Sequence, residues 1–172
     1  LITGMLFFVA GSVKERYPTL DIKRLGGMLQ SMPHLGWILG LCTMASLGLP
    51  GLAGFWGEFP AILAAYQANV DNVGLFRFYM VVAAIGTVLA AGYLLWMFQR
   101  VAFGELSEFL RGLGSHLTDM RPVEMLTLAP LAALVVVFGL FPGLILDLIE
   151  GSVTETLNAV TQGAPIALGL WR

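Results

Sequence analysis

The residue best suited to proton chemistry is Glu58, a single carboxylate inside an otherwise apolar stretch that reads ASLGLPGLAGFWGEFP from Ala45 to Pro60. Ionisable groups at membrane depth are costly and usually mark an ion path. The free N–H groups at a helix start favour the ionised carboxylate, whereas a dry pocket would favour the protonated one. A carboxylate under these two opposed influences is suited to relaying protons.

A plainer interpretation of Glu58 is that it caps a helix start while remaining hydrated at the membrane interface. Transporters, however, use broken helices that line a polar cavity near the midplane of the bilayer. We therefore favour the relay interpretation and keep the cap as its alternative.

The chain around Glu58 is too long to cross a membrane as one straight helix. The apolar run over residues 36–68 would extend roughly 50 Å as a helix, whereas the hydrocarbon layer is about 30 Å thick. Pro50, Gly51, Gly54 and Gly57 lie in the middle of this run. The sequence therefore predicts two half-helices broken near residues 49–57, inside a bundle that satisfies the freed backbone groups.

Three other side chains could carry chemistry, and each has a plainer explanation. His34 could load protons because histidine titrates near neutral pH, but a polar residue at the membrane interface is the favoured interpretation. His116 lies in a polar connection and is expected in solvent. Cys42 is the single cysteine and is expected to pack in the interior, since one thiol builds neither a disulfide nor a thiolate metal site.

The composition is that of a membrane protein. Hydrophobic residues make up 58% of the chain, charged residues 12%, and the mean hydropathy is +0.84, whereas soluble domains carry about 25% charged residues. The net charge of −2 gives no indication of nucleic-acid binding, and none is expected. The sequence has neither a glycine-rich phosphate loop nor a Cys/His cluster, so we expect this chain to bind no cofactor and no metal.

Hydropathy predicts an all-α membrane protein in a single transmembrane domain over residues 1–172. The predicted spans cover about residues 1–13, 36–68, 75–98 and 122–141, with an interfacial helix over 144–160. Polar connections are expected over residues 17–33 and 104–121, the latter as an amphipathic surface helix interrupted near Gly112 and Gly114. The chain is apolar from Leu1 onward, which we interpret as the interior of a membrane helix in a C-terminal fragment of a longer chain.

The distribution of Lys and Arg predicts the orientation. Cytoplasmic loops of membrane proteins carry the excess of these residues. Residues 14–33 and 100–121, which hold most of them, are therefore expected in the cytoplasm, and the C-terminus is expected on the outer side of the cell's inner (plasma) membrane.

Sequence motifs that could identify a family are densest over residues 45–59. Further motifs lie at Lys14–Tyr17 with Asp21, Gly26–Met28, Gly92–Trp96 with Arg100, Phe103–Glu105, Phe141–Pro142 and Leu146–Asp147. Together these stretches resemble one known family, subunit M of bacterial NADH:quinone oxidoreductase (respiratory complex I), the counterpart of mitochondrial chain 4. The likeness extends from Leu1 to about Val160.

This resemblance implies an antiporter-like proton channel of which the chain would hold roughly the last four of fourteen membrane helices. Glu58 would be the carboxylate at the break of the twelfth helix, nearest the proton exit. The implied partners are the lipid bilayer and the other membrane subunits of complex I, especially the neighbouring antiporter-like ones. NADH, FMN, iron–sulfur clusters and quinone would be bound by other subunits. A subunit of a multisubunit cation/proton antiporter or of a membrane-bound hydrogenase is the alternative.

Overall fold

A computed structural model describes residues 1–17, 19, 21–67, 73–106, 108–112 and 118–161. Within these ranges the chain is helical with connecting turns and contains no strand, which confirms the predicted all-α class. The helices are α1 (Ile2–Arg16), α2 (Met28–Ser31), α3 (Pro33–Ser46), α4 (Phe55–Gln67), α5 (Val73–Ala102), α6 (Glu108–Arg111), α7 (Pro122–Leu140) and α8 (Gly143–Thr161).

Helix α3 lies at the centre of the bundle and packs against α1, α5 and α7. Two of its glycines permit close packing: a Cβ at Gly36 would meet the side chain of Leu29, and one at Gly40 would lie 3.0 Å from the ring of Phe98. The buried core consists mainly of apolar residues from these four helices, among them Met5, Val9, Leu35, Leu39, Cys42, Ala45, Phe98, Leu128 and Val135.

Helix α5 runs beside both α3 and α4. Its C-terminal part packs on α3 through Phe98 and Gly40, while near its start the guanidinium of Arg77 lies 5.7 Å from the ring centre of Tyr66 in α4. Two stretches among the described residues are long and apolar enough to cross a membrane, Gly74–Ala102 and Pro122–Leu140.

The connection over residues 17–33 is polar only in part: Asp21 and Lys23 are exposed, but several of its apolar residues are buried. Tyr17, Met28 and Met32 are fully buried, and the amide of Gly27 donates to the carbonyl of Phe103 at 3.1 Å. Gly27 has a positive φ of 66°, and a Cβ there would lie 2.9 Å from the amide nitrogen of Leu106. The apolar residues of this connection therefore extend the core under the ends of α1 and α5.

The surface helix predicted over residues 104–121 is largely absent from the described part of that segment. Helix α5 continues to Ala102, Gly104 turns the chain with a φ of 89°, and α6 has only four residues. His116, expected in solvent, lies outside the described residues. Helix α8 exposes apolar side chains, with Leu148 81% accessible, and its place at the membrane surface stays a prediction.

Candidate functional site

Residues 47–54, which we call the link, separate α3 from α4. Gly48 and Gly51 adopt positive φ angles of 66° and 94°, a region that L-residues other than glycine rarely enter. Pro50 lies between them and has no backbone N–H to donate. These residues end α3 and prevent it from continuing into α4, so the helix is discontinuous.

Gly57, in contrast, was wrongly assigned to the break. It lies inside α4, where its amide donates to the carbonyl of Gly54 at 3.1 Å. A Cβ at Gly57 would meet nothing within 4 Å, so neither conformation nor space requires glycine there. A GEF triplet after an apolar glycine-rich run is compatible with a helix start as well as with a turn, and here the helix begins earlier, at Phe55.

Gly54 is the residue of the link with the strongest steric requirement. A Cβ at this position would collide with the carbonyl of Ala45 in the last turn of α3. The obstacle is backbone, which cannot move aside as a flexible side chain can. The two half-helices therefore approach each other through the hydrogen of Gly54, and this contact fixes where α4 begins.

Glu58 lies in the first turn of α4, and its amide donates to the carbonyl of Gly54 at 3.3 Å. Its side chain folds back over the link, because Oε2 lies 2.9 Å from where a Cβ of Gly48 would be. The carboxylate is thus at the positive end of the α4 dipole, where a negative charge is favoured. The dry pocket expected from the sequence is not provided by this chain, in which Glu58 is exposed.

A second polar site, missed by the sequence analysis, lies at the other end of α3. Arg16 at the end of α1 donates to both carboxylate oxygens of Glu124 in the first turn of α7, at 2.9 and 2.6 Å. Its remaining N–H groups donate to the carbonyls of Ser12, Thr118 and Asp119 at 3.0, 2.6 and 3.1 Å. All five guanidinium donors therefore have acceptors, and the Arg16 side chain is only 5% exposed.

Glu124 accepts two further hydrogen bonds. The hydroxyl of Ser12 donates to its Oε1 at 2.9 Å, and the amide of Arg121 donates to its Oε2 at 2.7 Å. A glutamate three residues after a helix N-cap often bonds back to the N-cap amide in this way. That spacing, with Pro122 at the first helical position, is the signal from which Glu124 could have been singled out.

Asp119 joins the same site to α3. Its carboxylate accepts the amides of His34 and Leu35 at 3.1 and 3.3 Å, and it pairs with Nδ1 of His34 at 2.6 Å. Burial would raise the pKa of Asp119, but the hydrogen bonds from the His34 ring and from the amides of Met120, His34 and Leu35 together hold it below its ordinary value. Asp119 therefore caps the N-terminus of α3 from a segment 85 residues away in sequence.

We call Ser12, Arg16, His34, Asp119 and Glu124 the end cluster. It joins α1, α3 and α7 through charged hydrogen bonds. His34 was expected as a polar residue at the interface, and it is an exposed member of this cluster. Among the described residues no group of three or more His, Cys, Asp or Glu side chains could hold a metal ion, and the absence of cofactors stays a prediction.

Comparison with known proteins gives one consistent result. Residues 1–86 match the family described as "NADH:quinone oxidoreductase/Mrp antiporter, TM". NADH-quinone oxidoreductase subunit M of Rhodobacter capsulatus is 40% identical over 158 residues, which cover 91% of this chain and 29% of that protein. F(420)H(2) dehydrogenase subunit M of Methanosarcina mazei is 36% identical over 163 residues, which cover 95% of this chain and 30% of that protein.

A solved structure agrees with these sequence matches. A chain of the respiratory complex I from Thermus thermophilus with bound NADH superposes with a TM-score of 0.68 and 34% identity, over 84% of this chain and 28% of that one. The present chain therefore spans about 30% of the length of the relatives it matches.

Proposed function

Because the chain belongs to the NADH:quinone oxidoreductase/Mrp antiporter transmembrane family, we propose that it is part of a proton-translocating membrane subunit of an NADH:quinone oxidoreductase. In such a complex, electron transfer from NADH to quinone drives proton movement across the membrane. The observation that carries this proposal is a carboxylate in the first turn of a helix that begins at a break, in a chain similar to proteins named subunit M.

Glu58 is the proposed proton relay. It is the single acidic residue of α4. Its side chain lies over the link, where two glycines with positive φ interrupt the helix. Backbone that is irregular at membrane depth is tolerated only where protein or a water-filled cavity covers it. Contacts from outside this chain would supply that cover and desolvate the carboxylate, which the chain by itself leaves exposed.

The proposed orientation places residues 14–33 and 100–121 in the cytoplasm and the C-terminus outside the inner membrane. Two features support it. The two connections lie at one end of the bundle, where Arg16 bonds Thr118 and Asp119 and Gly27 bonds Phe103. They also hold most of the lysines and arginines of the chain, as cytoplasmic loops do.

The proposed partners are the other membrane subunits of complex I, above all the neighbouring antiporter-like ones, together with the lipid bilayer. The exposed apolar residues of α5, including Phe78, Val88 and Leu89, suit contact with lipid or with other membrane helices. No nucleic acid is proposed. NADH, FMN, iron–sulfur clusters and quinone would be bound elsewhere in the complex, so this chain would take part in the enzyme without a redox centre of its own.

A second candidate keeps the proton chemistry and changes the complex. The family description includes Mrp antiporters, and one relative is named as a subunit of an F(420)H(2) dehydrogenase. A multisubunit cation/proton antiporter or a membrane-bound hydrogenase would use the same broken helix. Neighbouring genes separate these candidates, because genes for quinone-oxidoreductase subunits should flank the first.

Glu58→Gln in the full-length subunit tests the relay. The amide retains the shape of the side chain but cannot carry a proton, so we expect proton pumping in inverted membrane vesicles to fall close to background while the complex still assembles. Glu58→Asp retains a carboxylate and should have a milder effect.

Glu108→Gln is the matched control, because Glu108 is exposed on α6, outside the membrane spans. Its pumping rate should equal that of the unmodified complex. Normal pumping by an assembled complex that carries Glu58→Gln would refute the relay and leave Glu58 as a helix cap.

A further inference from the structure

The last turns of α7 contact the link on both sides of the start of α4. The amide of Ala53, just before α4, donates to the carbonyl of Val135 at 3.0 Å. The indole Nε1 of Trp56, in the first turn of α4, donates to the carbonyl of Gly139 at 2.8 Å. The second bond satisfies one of the carbonyl groups that the end of a helix leaves without a partner.

Gly139 also allows the two backbones to touch. A Cβ at this position would collide with the carbonyl of Gly51 and with Cα of Leu52. Both obstacles are backbone atoms, which cannot move aside as a flexible side chain can. Residues 135–139 of α7 therefore contact the link directly through its backbone, without intervening side chains.

Trp56 is well placed to determine how α4 is rotated about its axis. It precedes Glu58 by two residues in the same turn, and its ring packs edge-on to Phe55, with the ring centres 5.2 Å apart. Phe55 in turn stacks on Phe59 at 5.0 Å. Since successive residues of a helix differ by about 100° in direction, holding Trp56 against α7 also fixes the direction in which Glu58 leaves α4.

We propose that Trp56 and Gly139 form a latch between α4 and α7, and that Trp56 is a positioning residue that keeps the Glu58 carboxylate over the link. The effect of the latch on pumping rests on the proposed relay function of Glu58. Its effect on the accessibility of Glu58 is independent of that function.

The test uses the full-length subunit in its assembled complex and compares Trp56→Phe with Trp37→Phe. Phenylalanine keeps an aromatic ring but loses the indole N–H. Trp37 is 70% exposed on α3, which makes it the matched control. The first measurement is the rate at which a hydrophobic carbodiimide labels Glu58, read by mass spectrometry of the peptide that contains it.

We expect Trp56→Phe to raise the labelling rate by about two- to tenfold, the change in population that the loss of one hydrogen bond permits. Trp37→Phe should leave the rate unchanged. Gly139→Ala, which forces the backbones apart, should raise it further. If Gly139→Ala fails to assemble, the labelling rates of the two tryptophan variants are sufficient to test the latch.

The second measurement is the rate of pumping as a function of pH. Loss of assembled complex would lower this rate at every pH but would not displace the profile along the pH axis. We expect Trp56→Phe to displace the profile along the pH axis and Trp37→Phe to leave it in place. Equal labelling rates in the two variants would overturn the latch. Normal pumping by Glu58→Gln together with faster labelling in Trp56→Phe would overturn the proposed function and retain the latch.

Discussion

The two ends of α3 are held in opposite ways. At its N-terminus, the end cluster ties α3 to α1 and α7 with directional bonds between charged groups, and the Arg16 side chain is almost fully buried. At its C-terminus, the link is held by glycines in direct contact with backbone, at Gly54 and Gly139. Glu58 is the acidic residue at that end, and none of the ion pairs among the described residues includes it.

This difference suggests a division of labour. The carboxylate of Glu124 is paired with a buried arginine and serves structure. Glu58, in contrast, lies beside the backbone of the link, and no cation pairs with it among the described residues. The close-packed glycines bring the two half-helices together without a charged side chain at the contact.

The largest expected effect comes from removing Arg16. Arg16→Met leaves Glu124 partly buried without its cation, and breaking a buried ion pair in this way costs about 3–5 kcal/mol. Unfolding of the full-length subunit purified in detergent would measure this loss.

Arg111→Met is the matched control, because its pair with Glu105 is exposed and such pairs contribute about 0–1 kcal/mol. Equal losses in the two variants would show that the end cluster is no stronger than a surface ion pair.

Gly54→Ala should have an intermediate effect on the glycine-packed end. The added methyl collides with the carbonyl of Ala45, and overpacking of this kind costs about 1–3 kcal/mol. Gly57→Ala, three residues later, meets nothing within 4 Å and should be neutral or stabilising by about 0.5–1 kcal/mol, because alanine is the better helix former. The same unfolding assay compares them, and a destabilising Gly57→Ala would contradict this account of the break.

The smallest expected effect concerns Asp119, whose pKa is lowered in the fold by its hydrogen bonds. Its contribution to stability is therefore complete above about pH 4, the ordinary aspartate value, and is lost as the pH falls through the lower folded value. Asp119→Ala should cost about 0.5–2 kcal/mol, as the loss of a helix cap does.

Asp119→Asn should retain much of the capping interaction. In this variant the cap should no longer weaken as the pH falls. Protection of the amides of His34 and Leu35 from hydrogen exchange, expressed relative to the intrinsic exchange rate at each pH, reports this cap directly. Protection that is as weak at pH 7 as in acid would contradict the capping role.

The sequence was sufficient for the fold class and for the broken helix, because both depend on local patterns. Apolar runs of membrane-spanning length and a Pro–Gly interruption are visible without any knowledge of tertiary contacts. Gly57 was misplaced because an isolated glycine does not reveal whether its backbone φ is positive.

The end cluster was not foreseen, because it joins residues more than 80 positions apart. Arg16 follows the first predicted span, and Asp119 lies in the polar connection predicted over residues 104–121. Only the packing of α1, α3 and α7 brings them together. The burial of Tyr17, Met28 and Met32 was missed for a related reason, since the apolar residues of this connection are spaced among charges and have no regular period.

The length of α5 allows the position of the break to be compared with the thickness of the bilayer. Arg77 and Arg100, each lying over an aromatic ring, are about 35 Å apart along the helix, close to the thickness of the hydrocarbon layer. Gly40 of α3 lies beside Phe98 of α5, and Tyr66 of α4 lies beside Arg77 of α5. Residues 47–58 therefore fall between the two arginines. With α5 upright and these arginines at the two water boundaries, the link and Glu58 would lie well below either surface of the bilayer.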